Sequence, residues 1–174
     1  MRALIIGGSG SGKSAYAEAL LQGRQHKIYL ATMVPSGDEA QRRIARHQTL
    51  RADKGFTTYE QPRLVHECAG GFPLGCSVLL ECLGNLTANT LFEGNAEDLC
   101  AEEEILAGIA HLERCCRDVV VVTNDIFSDG EPYDRETQRY LALLARLNAQ
   151  LAARFDLVVE VVCGIGLVLK GEAP

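Results

Sequence analysis

Apolar and polar positions divide the chain into short apolar runs that alternate with helical patterns. Several runs, such as VVVVT, are apolar throughout, which is typical of strands that helices cover on both faces. Runs that alternate with helices predict βαβ units and a mainly parallel sheet. Five main strands are predicted, at residues 3–6, 27–31, 78–81, 119–123 and 157–162. Two weaker strands are predicted at residues 57–60 and 167–169.

The helical patterns lie between these strands, at residues 13–21, 39–49, 102–116 and 136–153. In the third pattern Ile105, Ile109 and Leu112 fall on one stripe, and the glutamates at residues 102–104 precede them. Negative charge stabilises the amino end of a helix, so we expect this helix to begin at the glutamates, which argues against a metal site there. A chain of 174 residues suits one domain. The predicted fold is a single α/β domain with a mainly parallel sheet flanked by helices.

Composition and charge exclude some classes of function. The formal net charge of −6 argues against a general nucleic-acid binder, because binding to a polyanion needs clustered cations. Glycines cut the first apolar run short, so neither a signal peptide nor a membrane span is expected. The seven cysteines form no CxxC pair, which is typical of reduced, buried thiols and predicts a cytoplasmic location.

The segment that follows the first strand reads GGSGSGKS and satisfies the Walker A pattern of a phosphate-binding loop. Its residues are Gly7, Gly8, Ser9, Gly10, Ser11, Gly12, Lys13 and Ser14. Such a loop wraps phosphates with backbone N–H groups at the amino end of the following helix. We expect Lys13 to neutralise the β- and γ-phosphates and the Ser14 hydroxyl to bind Mg²⁺. The alternative, a glycine-rich turn with a chance lysine, is disfavoured because both the strand and the helix are present.

A phosphate loop of this kind needs a carboxylate at the end of a buried strand, where it can bind the same magnesium ion. Glu81 directly ends the apolar run SVLLE. Asp125 follows the run VVVVTN and is the competing candidate. The sequence favours Glu81, since it lies at the strand end itself.

A histidine among arginines is the second feature that carries chemistry. On a helix Arg43, His47 and Arg51 lie four residues apart and share a face. Neighbouring positive charge disfavours the protonated imidazole, which leaves a nucleophilic histidine, and the arginines would attract a triphosphate. The spacing alone favours a solvated basic helix face with an incidental histidine. The other histidines, His26, His66 and His111, lack such company and are expected to be surface or packing residues.

Together these segments resemble the bifunctional adenosylcobinamide kinase/adenosylcobinamide-phosphate guanylyltransferase family of cobalamin biosynthesis. The resemblance rests on GGSGSGKS, YLAT at residues 29–32, RIxxH at residues 43–47, the strand end at residues 81–83 with Asn89 beyond it, VTN at residues 122–124 and VVCGIGLVLK near the end. The phosphate loop alone occurs in many NTPases. Its combination with RIxxH is far more specific and favours a catalytic His47.

The resemblance implies a RecA-like P-loop fold and two successive reactions. A nucleoside triphosphate phosphorylates adenosylcobinamide; GTP then guanylylates a histidine, matched here by His47, and adenosylcobinamide phosphate takes the GMP. GTP, or ATP for the first step, and Mg²⁺ are the implied cofactors. Family members are similar to a propeller-shaped homotrimer with active sites between subunits. The implied nucleotide site includes the phosphate loop and Thr32, Met33, Val34, Glu60 and Glu81.

The chain departs from the family pattern in two places. Residues 127–132 read FSDGEP where a glycine-rich loop is usual, and residues 139–142 read RYLA within a helix where an RxFRD-like run is usual. Two alternatives therefore stay open beside the bifunctional enzyme. One is a P-loop kinase of a small hydroxylated metabolite without guanylyltransferase activity, and the other is a nucleotide-binding subunit that has lost catalysis.

Overall fold

The computed structural model describes residues 1–34, 54–93, 97–126 and 133–173, and within these ranges seven strands form one sheet. The strands are β1 (Arg2–Gly7), β2 (Lys27–Ala31), β3 (Phe56–Glu60), β4 (Ser77–Glu81), β5 (Asp118–Asn124), β6 (Leu157–Val162) and β7 (Ile165–Lys170). The α-helices are α1 (Lys13–Leu20), α2 (Leu83–Ala88), α3 (Asp98–Cys115) and α4 (Arg135–Arg154). A 3₁₀ turn, Glu67–Gly71, precedes β4, and a π-helical turn, Asn89–Glu93, follows α2.

The strands follow the order β3-β2-β4-β5-β1-β6-β7 across the sheet. Neighbouring strands are parallel except for β7, which pairs antiparallel with β6. The carboxyl ends of the parallel strands therefore meet at one edge, where open α/β sheets bind ligands. This arrangement confirms the predicted fold class, a RecA-like P-loop sheet with flanking helices.

Each face of the sheet has its own apolar core. On one face Leu4 of β1 and Val121 of β5 belong to a buried cluster with Ile105 of α3 and Leu147 of α4. On the other face the intervening strand residues form a second buried cluster with Ala17 of α1. Because both faces are covered, the central strands are apolar throughout, as their sequences predict.

The predicted strands and the helices at residues 13–21 and 136–153 are confirmed to within two residues at each end. The prediction that the third helix begins at the glutamates is wrong, because α3 begins at Asp98 and Glu102 lies in its second turn. Glu102 instead accepts hydrogen bonds from Arg146 Nε at 2.7 Å and from Gln150 Nε2 at 2.5 Å, which join α3 to α4. The predicted helix at residues 39–49 lies outside the described residues.

The cysteines differ in exposure: three are buried, three are exposed and Cys68 is half-buried. All seven are free, which agrees with the prediction of reduced thiols. Cys76, Cys82 and Cys116 are buried, and burial raises the pKa of each of these thiols. The expectation of buried thiols is wrong for the three exposed cysteines, Cys100, Cys115 and Cys163.

Within the described ranges, no helix combines the length and the apolar character that crossing a membrane requires.

Candidate functional site

The phosphate loop lies at the carboxyl end of β1. Gly10 and Gly12 have φ values of 70° and 91°, in the left-handed region that favours glycine. Gly7 is required for a different reason: a Cβ there would lie 2.5 Å from Ser11 Oγ and 2.6 Å from the Val161 carbonyl oxygen. The first helical hydrogen bond after the loop runs from the Tyr16 N–H to the Gly12 carbonyl at 3.0 Å. The glycines thus allow a tight loop that leads directly into α1.

The polar groups of the loop are arranged to receive an anion. Lys13 Nζ donates to the Gly8 carbonyl at 3.0 Å, so the ammonium group folds back across the loop. The Ser11 hydroxyl oxygen is buried and has no hydrogen-bond partner among the residues that the structure describes. The turn between β6 and β7 supports the loop from outside, where the Gly164 N–H donates to the Ser11 carbonyl at 2.8 Å. This donor set fits the phosphates of a nucleotide.

Ser14 and Glu81 meet in front of the loop. The Ser14 hydroxyl donates to Glu81 Oε1 at 2.5 Å, and both side chains are half-buried. A hydroxyl and a carboxylate oxygen are the ligand types that Mg²⁺ prefers, so this pair fits the ion. Asp125, the competing carboxylate, lies beside the start of the loop, where its backbone N–H donates to the Gly7 carbonyl at 3.0 Å. The geometry therefore favours Glu81 as the acidic partner of Ser14.

A cavity of about 290 Å³ adjoins the loop on the side of β6. It is lined by the loop residues at positions 8–11, by Asp125 and by the end of β6 and its turn at positions 160–163. Asp125 and the half-buried Glu160 thus face a space next to the phosphate loop.

Thr32 directly follows β2 and is completely buried. Its hydroxyl donates to the Cys82 carbonyl at 2.8 Å and accepts from the Cys82 N–H at 2.7 Å. Its own N–H donates to the Glu81 carbonyl at 3.0 Å. Met33 and Val34 come next and are half-buried. Thr32 therefore contacts the strand end that carries Glu81.

Glu60 ends β3 in the same row of the sheet as Glu81. Ala31 pairs with Glu60 on one side and with Glu81 on the other, so the two glutamates are separated by one strand. Neighbouring strands lie about 4.8 Å apart, which puts the two Cα atoms roughly 10 Å from each other. Glu60 is exposed, whereas Glu81 is half-buried.

His47, Arg43 and Arg51 lie outside the described residues. His26 and His66 are exposed and His111 is half-buried, as expected of surface and packing residues. The expectation that His111 lacks an arginine neighbour is wrong, because Arg114 Nη2 lies 3.4 Å from its Nδ1. His66 and His111 are ring neighbours with their centroids 6.2 Å apart.

Three features of the site have little local signal in the sequence. Asn89 donates from Nδ2 to the Thr32 carbonyl at 2.7 Å and to the Pro62 carbonyl at 3.1 Å, although nothing but its place in the family pattern singled it out. The Glu81–Cys82 peptide bond is cis. The contact of Gly164 with the phosphate loop joins residues far apart in the chain, and only the glycine-rich turn of VVCGIG hints at it.

The departure at residues 139–142 serves packing between helices. Arg139 forms an ion pair with Asp98 of α3 at 2.6 Å. The Tyr140 hydroxyl lies against α2, where a Cβ on Gly84 would come within 3.0 Å of it and within 3.1 Å of Asn124 Nδ2. Burial, with a smaller contribution from the charge of Cys82, raises the pKa of Tyr140 to about 12. Tyr140 thus fills space behind the strand ends as a neutral phenol.

A parallel sheet, a phosphate loop at the end of β1 and a carboxylate that meets the loop serine together define a nucleotide-binding protein of the P-loop class. Within that class, the chain belongs to the cobinamide kinase / cobinamide phosphate guanyltransferase family, whose sequence model matches residues 3–169.

Curated relatives match almost the whole chain. The bifunctional adenosylcobalamin biosynthesis protein CobU of Escherichia coli is 33% identical over 181 residues, which cover 98% of this chain and 100% of the relative. The bifunctional adenosylcobalamin biosynthesis protein CobP of Pseudomonas aeruginosa is 30% identical over 173 residues, which cover 99% of each chain.

The solved structures support the fold alone. An ATPase from a type III secretion system of pathogenic bacteria aligns with a TM-score of 0.52 at 12% identity. The alignment covers 96% of this chain but only 56% of the ATPase chain, so this protein spans just over half the length of that neighbour.

Proposed function

We propose that this chain is a bifunctional enzyme of cobalamin biosynthesis. It phosphorylates adenosylcobinamide and then transfers GMP from GTP to adenosylcobinamide phosphate, which gives adenosylcobinamide-GDP. The observation that carries the proposal is the hydrogen bond from Ser14 to Glu81 in front of the phosphate loop, in a chain of this family. The names of the two curated relatives support the pairing of two activities in one chain.

In the kinase step the phosphate loop holds the triphosphate through its backbone N–H groups. Lys13 leaves the Gly8 carbonyl and pairs with the β- and γ-phosphates, because a phosphate oxygen is a stronger acceptor for an ammonium group than a neutral carbonyl. Ser14 and Glu81 are the residues that would hold Mg²⁺, which when bound neutralises charge on the phosphates. The hydroxyl of adenosylcobinamide takes the γ-phosphoryl group, and the nucleoside diphosphate leaves.

In the transferase step His47 is the nucleophile. Its imidazole attacks the α-phosphorus of GTP, a P–N bond forms, and the bond to pyrophosphate breaks. A phosphate oxygen of adenosylcobinamide phosphate then displaces the histidine and takes the GMP. The positive charges of Arg43 and Arg51 favour the neutral imidazole and attract the triphosphate. The support for these roles is the RIxxH spacing together with family membership.

The proposal extends to the nucleotide, the assembly and the location. GTP serves the transferase step, and GTP or ATP serves the kinase step. The surroundings of the nucleotide are completed by Thr32, Met33, Val34 and Glu60. Thr32 acts there through the end of β4, to which it is hydrogen-bonded. The chain acts as one domain within a homotrimer. The exposed apolar side chains of β7 support an association between chains. Seven free cysteines support a cytoplasmic location.

Labelling with GTP that carries ³²P at the α-phosphate tests the transferase half. We expect the wild-type chain to acquire an acid-labile label, His47→Ala to acquire none, and the matched control His111→Ala to label like the wild type. Loss of the label in both variants, or its retention in His47→Ala, would contradict the role of His47. A wild-type chain that releases only nucleoside diphosphate is a kinase alone, and one that binds GTP without turnover is a nucleotide-binding subunit.

A further inference from the structure

Beyond the residues that contact nucleotide, we propose that Thr32 and Asn89 are positioning residues that hold the Glu81 carboxylate opposite the Ser14 hydroxyl and so set the affinity for Mg²⁺. The inference rests on the proposed function, because it assumes that Ser14 and Glu81 hold the metal ion of the kinase step. It assigns to Thr32 a task that does not need contact with the nucleotide.

Thr32 holds the end of β4 at three points. Its N–H donates to the Glu81 carbonyl at 3.0 Å, and its hydroxyl both accepts from the Cys82 N–H and donates to the Cys82 carbonyl. The peptide unit that directly follows the Glu81 side chain, and the next one, are therefore fixed to the residue that follows β2. With an exposure of 0% and its polar groups engaged, Thr32 acts on a ligand through Glu81 and not directly.

Asn89 fixes Thr32 in turn. One side-chain amide donates to the Thr32 carbonyl at 2.7 Å and to the Pro62 carbonyl at 3.1 Å, and so joins the segments that follow β2 and β3. Asn89 also begins the π-helical turn after α2, and α2 starts at Leu83, directly after Cys82. A closed loop results. The chain runs from Cys82 through α2 to Asn89, and hydrogen bonds lead from Asn89 through Thr32 back to Cys82. This loop begins directly after Glu81, and Thr32 also binds the Glu81 carbonyl.

Such support matters for magnesium more than for most ligands. Mg²⁺ demands a near-ideal octahedral geometry with ligand distances of about 2.0–2.1 Å, so a small displacement of a carboxylate weakens binding. Removing a partner that orients a metal ligand typically costs about 10–100-fold in metal affinity or activity. If Thr32 and Asn89 had a purely structural role, their removal would lower the unfolding temperature and leave the half-saturating Mg²⁺ concentration unchanged.

Four variants separate these roles. Thr32→Val removes the hydroxyl at nearly constant shape, and Thr32→Ser keeps it. Asn89→Ala removes the amide on its own. Thr87→Val is the matched control, because Thr87 is also completely buried and its hydroxyl donates only within α2, to the Leu83 carbonyl at 2.7 Å.

The measurement is the binding of a fluorescent GTP analogue as Mg²⁺ is titrated, together with the thermal unfolding midpoint of each variant. We expect Thr32→Val and Asn89→Ala to raise the half-saturating Mg²⁺ concentration by about 10-fold or more. We expect Thr32→Ser to bind Mg²⁺ like the wild type and Thr87→Val to change the unfolding midpoint alone.

Two results would overturn this inference and leave the proposed function standing. One is an unchanged half-saturating Mg²⁺ concentration for Thr32→Val and Asn89→Ala, and the other is an equal increase of that concentration for Thr87→Val. A wild-type chain whose GTP binding does not respond to Mg²⁺ would overturn both this inference and the kinase step on which it rests. The readout needs neither cobinamide nor His47, so failure of guanylyl transfer leaves the inference standing.

Discussion

The Ser14 hydroxyl donates a hydrogen bond to Glu81, although β5 lies between β1 and β4 in the sheet. Helix α1 makes this possible, because it contacts β4 and β5 as well as β1. Its first turn, which carries Ser14, thus reaches past β5 to the end of β4. The sheet order separates the two strands, and the helix brings their functional side chains together.

Replacing Glu81 by glutamine tests which carboxylate serves the magnesium ion. Glu81→Gln keeps the shape of the side chain and removes the charge that Mg²⁺ needs. We expect the rate of adenosylcobinamide phosphorylation to fall by about 100-fold or more, at or above the upper end of the range for residues that only orient a ligand. Asp125→Asn is the matched control and should cost much less, because Asp125 contacts the loop through its backbone N–H. A larger loss in Asp125→Asn than in Glu81→Gln would reverse the assignment.

Two neighbouring glycines of the loop should respond very differently to an added methyl group. Gly7→Ala places a Cβ 2.6 Å from the Val161 carbonyl, whereas a Cβ on Gly8 meets nothing within 4 Å. Overpacking of this kind typically costs about 1–3 kcal/mol. At about 2–4 °C for each kcal/mol in a chain of this size, Gly7→Ala should unfold several degrees below the wild type. Calorimetry of the ligand-free variants checks this, and equal unfolding midpoints for the two variants would contradict it.

Asp118 should make the stability of the chain depend on pH in the acid range. Burial acts to raise the pKa of Asp118, but hydrogen bonds from the Ser77 hydroxyl and the Met1 ammonium group, with the charge of Arg24, outweigh it and lower the pKa below its usual 3.8. A lowered pKa in the folded state stabilises the fold above about pH 3.8, and that contribution is lost as the pH falls through the folded-state pKa.

Asp118→Asn removes the charge while it keeps the shape. At pH 7 we expect a loss of about 1.5–3 kcal/mol of unfolding free energy, the range for hydrogen bonds to a charged group. The difference from the wild type should shrink as the pH falls below about 3.8 and through the lower pKa of the folded state, below which Asp118 is protonated in both states. Urea unfolding at a series of pH values measures both effects. The exposed Glu103→Gln serves as the control, and a difference that grows toward acid pH would refute the argument.

The parts of this fold that depend on local pattern can be predicted from the sequence, and the parts that depend on contacts between distant residues cannot. The strands and the phosphate loop follow from apolar runs and from glycine spacing within a few residues. The start of α3 does not, because Glu102 is satisfied by Arg146 on another helix and not by its own helix end. The support of Glu81 by Thr32 also joins residues about fifty positions apart. No periodicity encodes such a contact.

The β7 edge of the sheet should be where copies of this chain associate. On β7 the side chains Ile165, Leu167, Val168 and Leu169 are between 45% and 65% exposed, and an open apolar edge strand is a hazard that proteins usually cover. Sedimentation of the wild type should give three times the mass of one chain. Leu169→Glu places a charge on this edge and should yield monomers. Leu74→Glu, at a position that is 96% exposed outside the sheet, should leave the assembly intact. A wild-type monomer, or a trimer that survives Leu169→Glu, would place the interface elsewhere or exclude it.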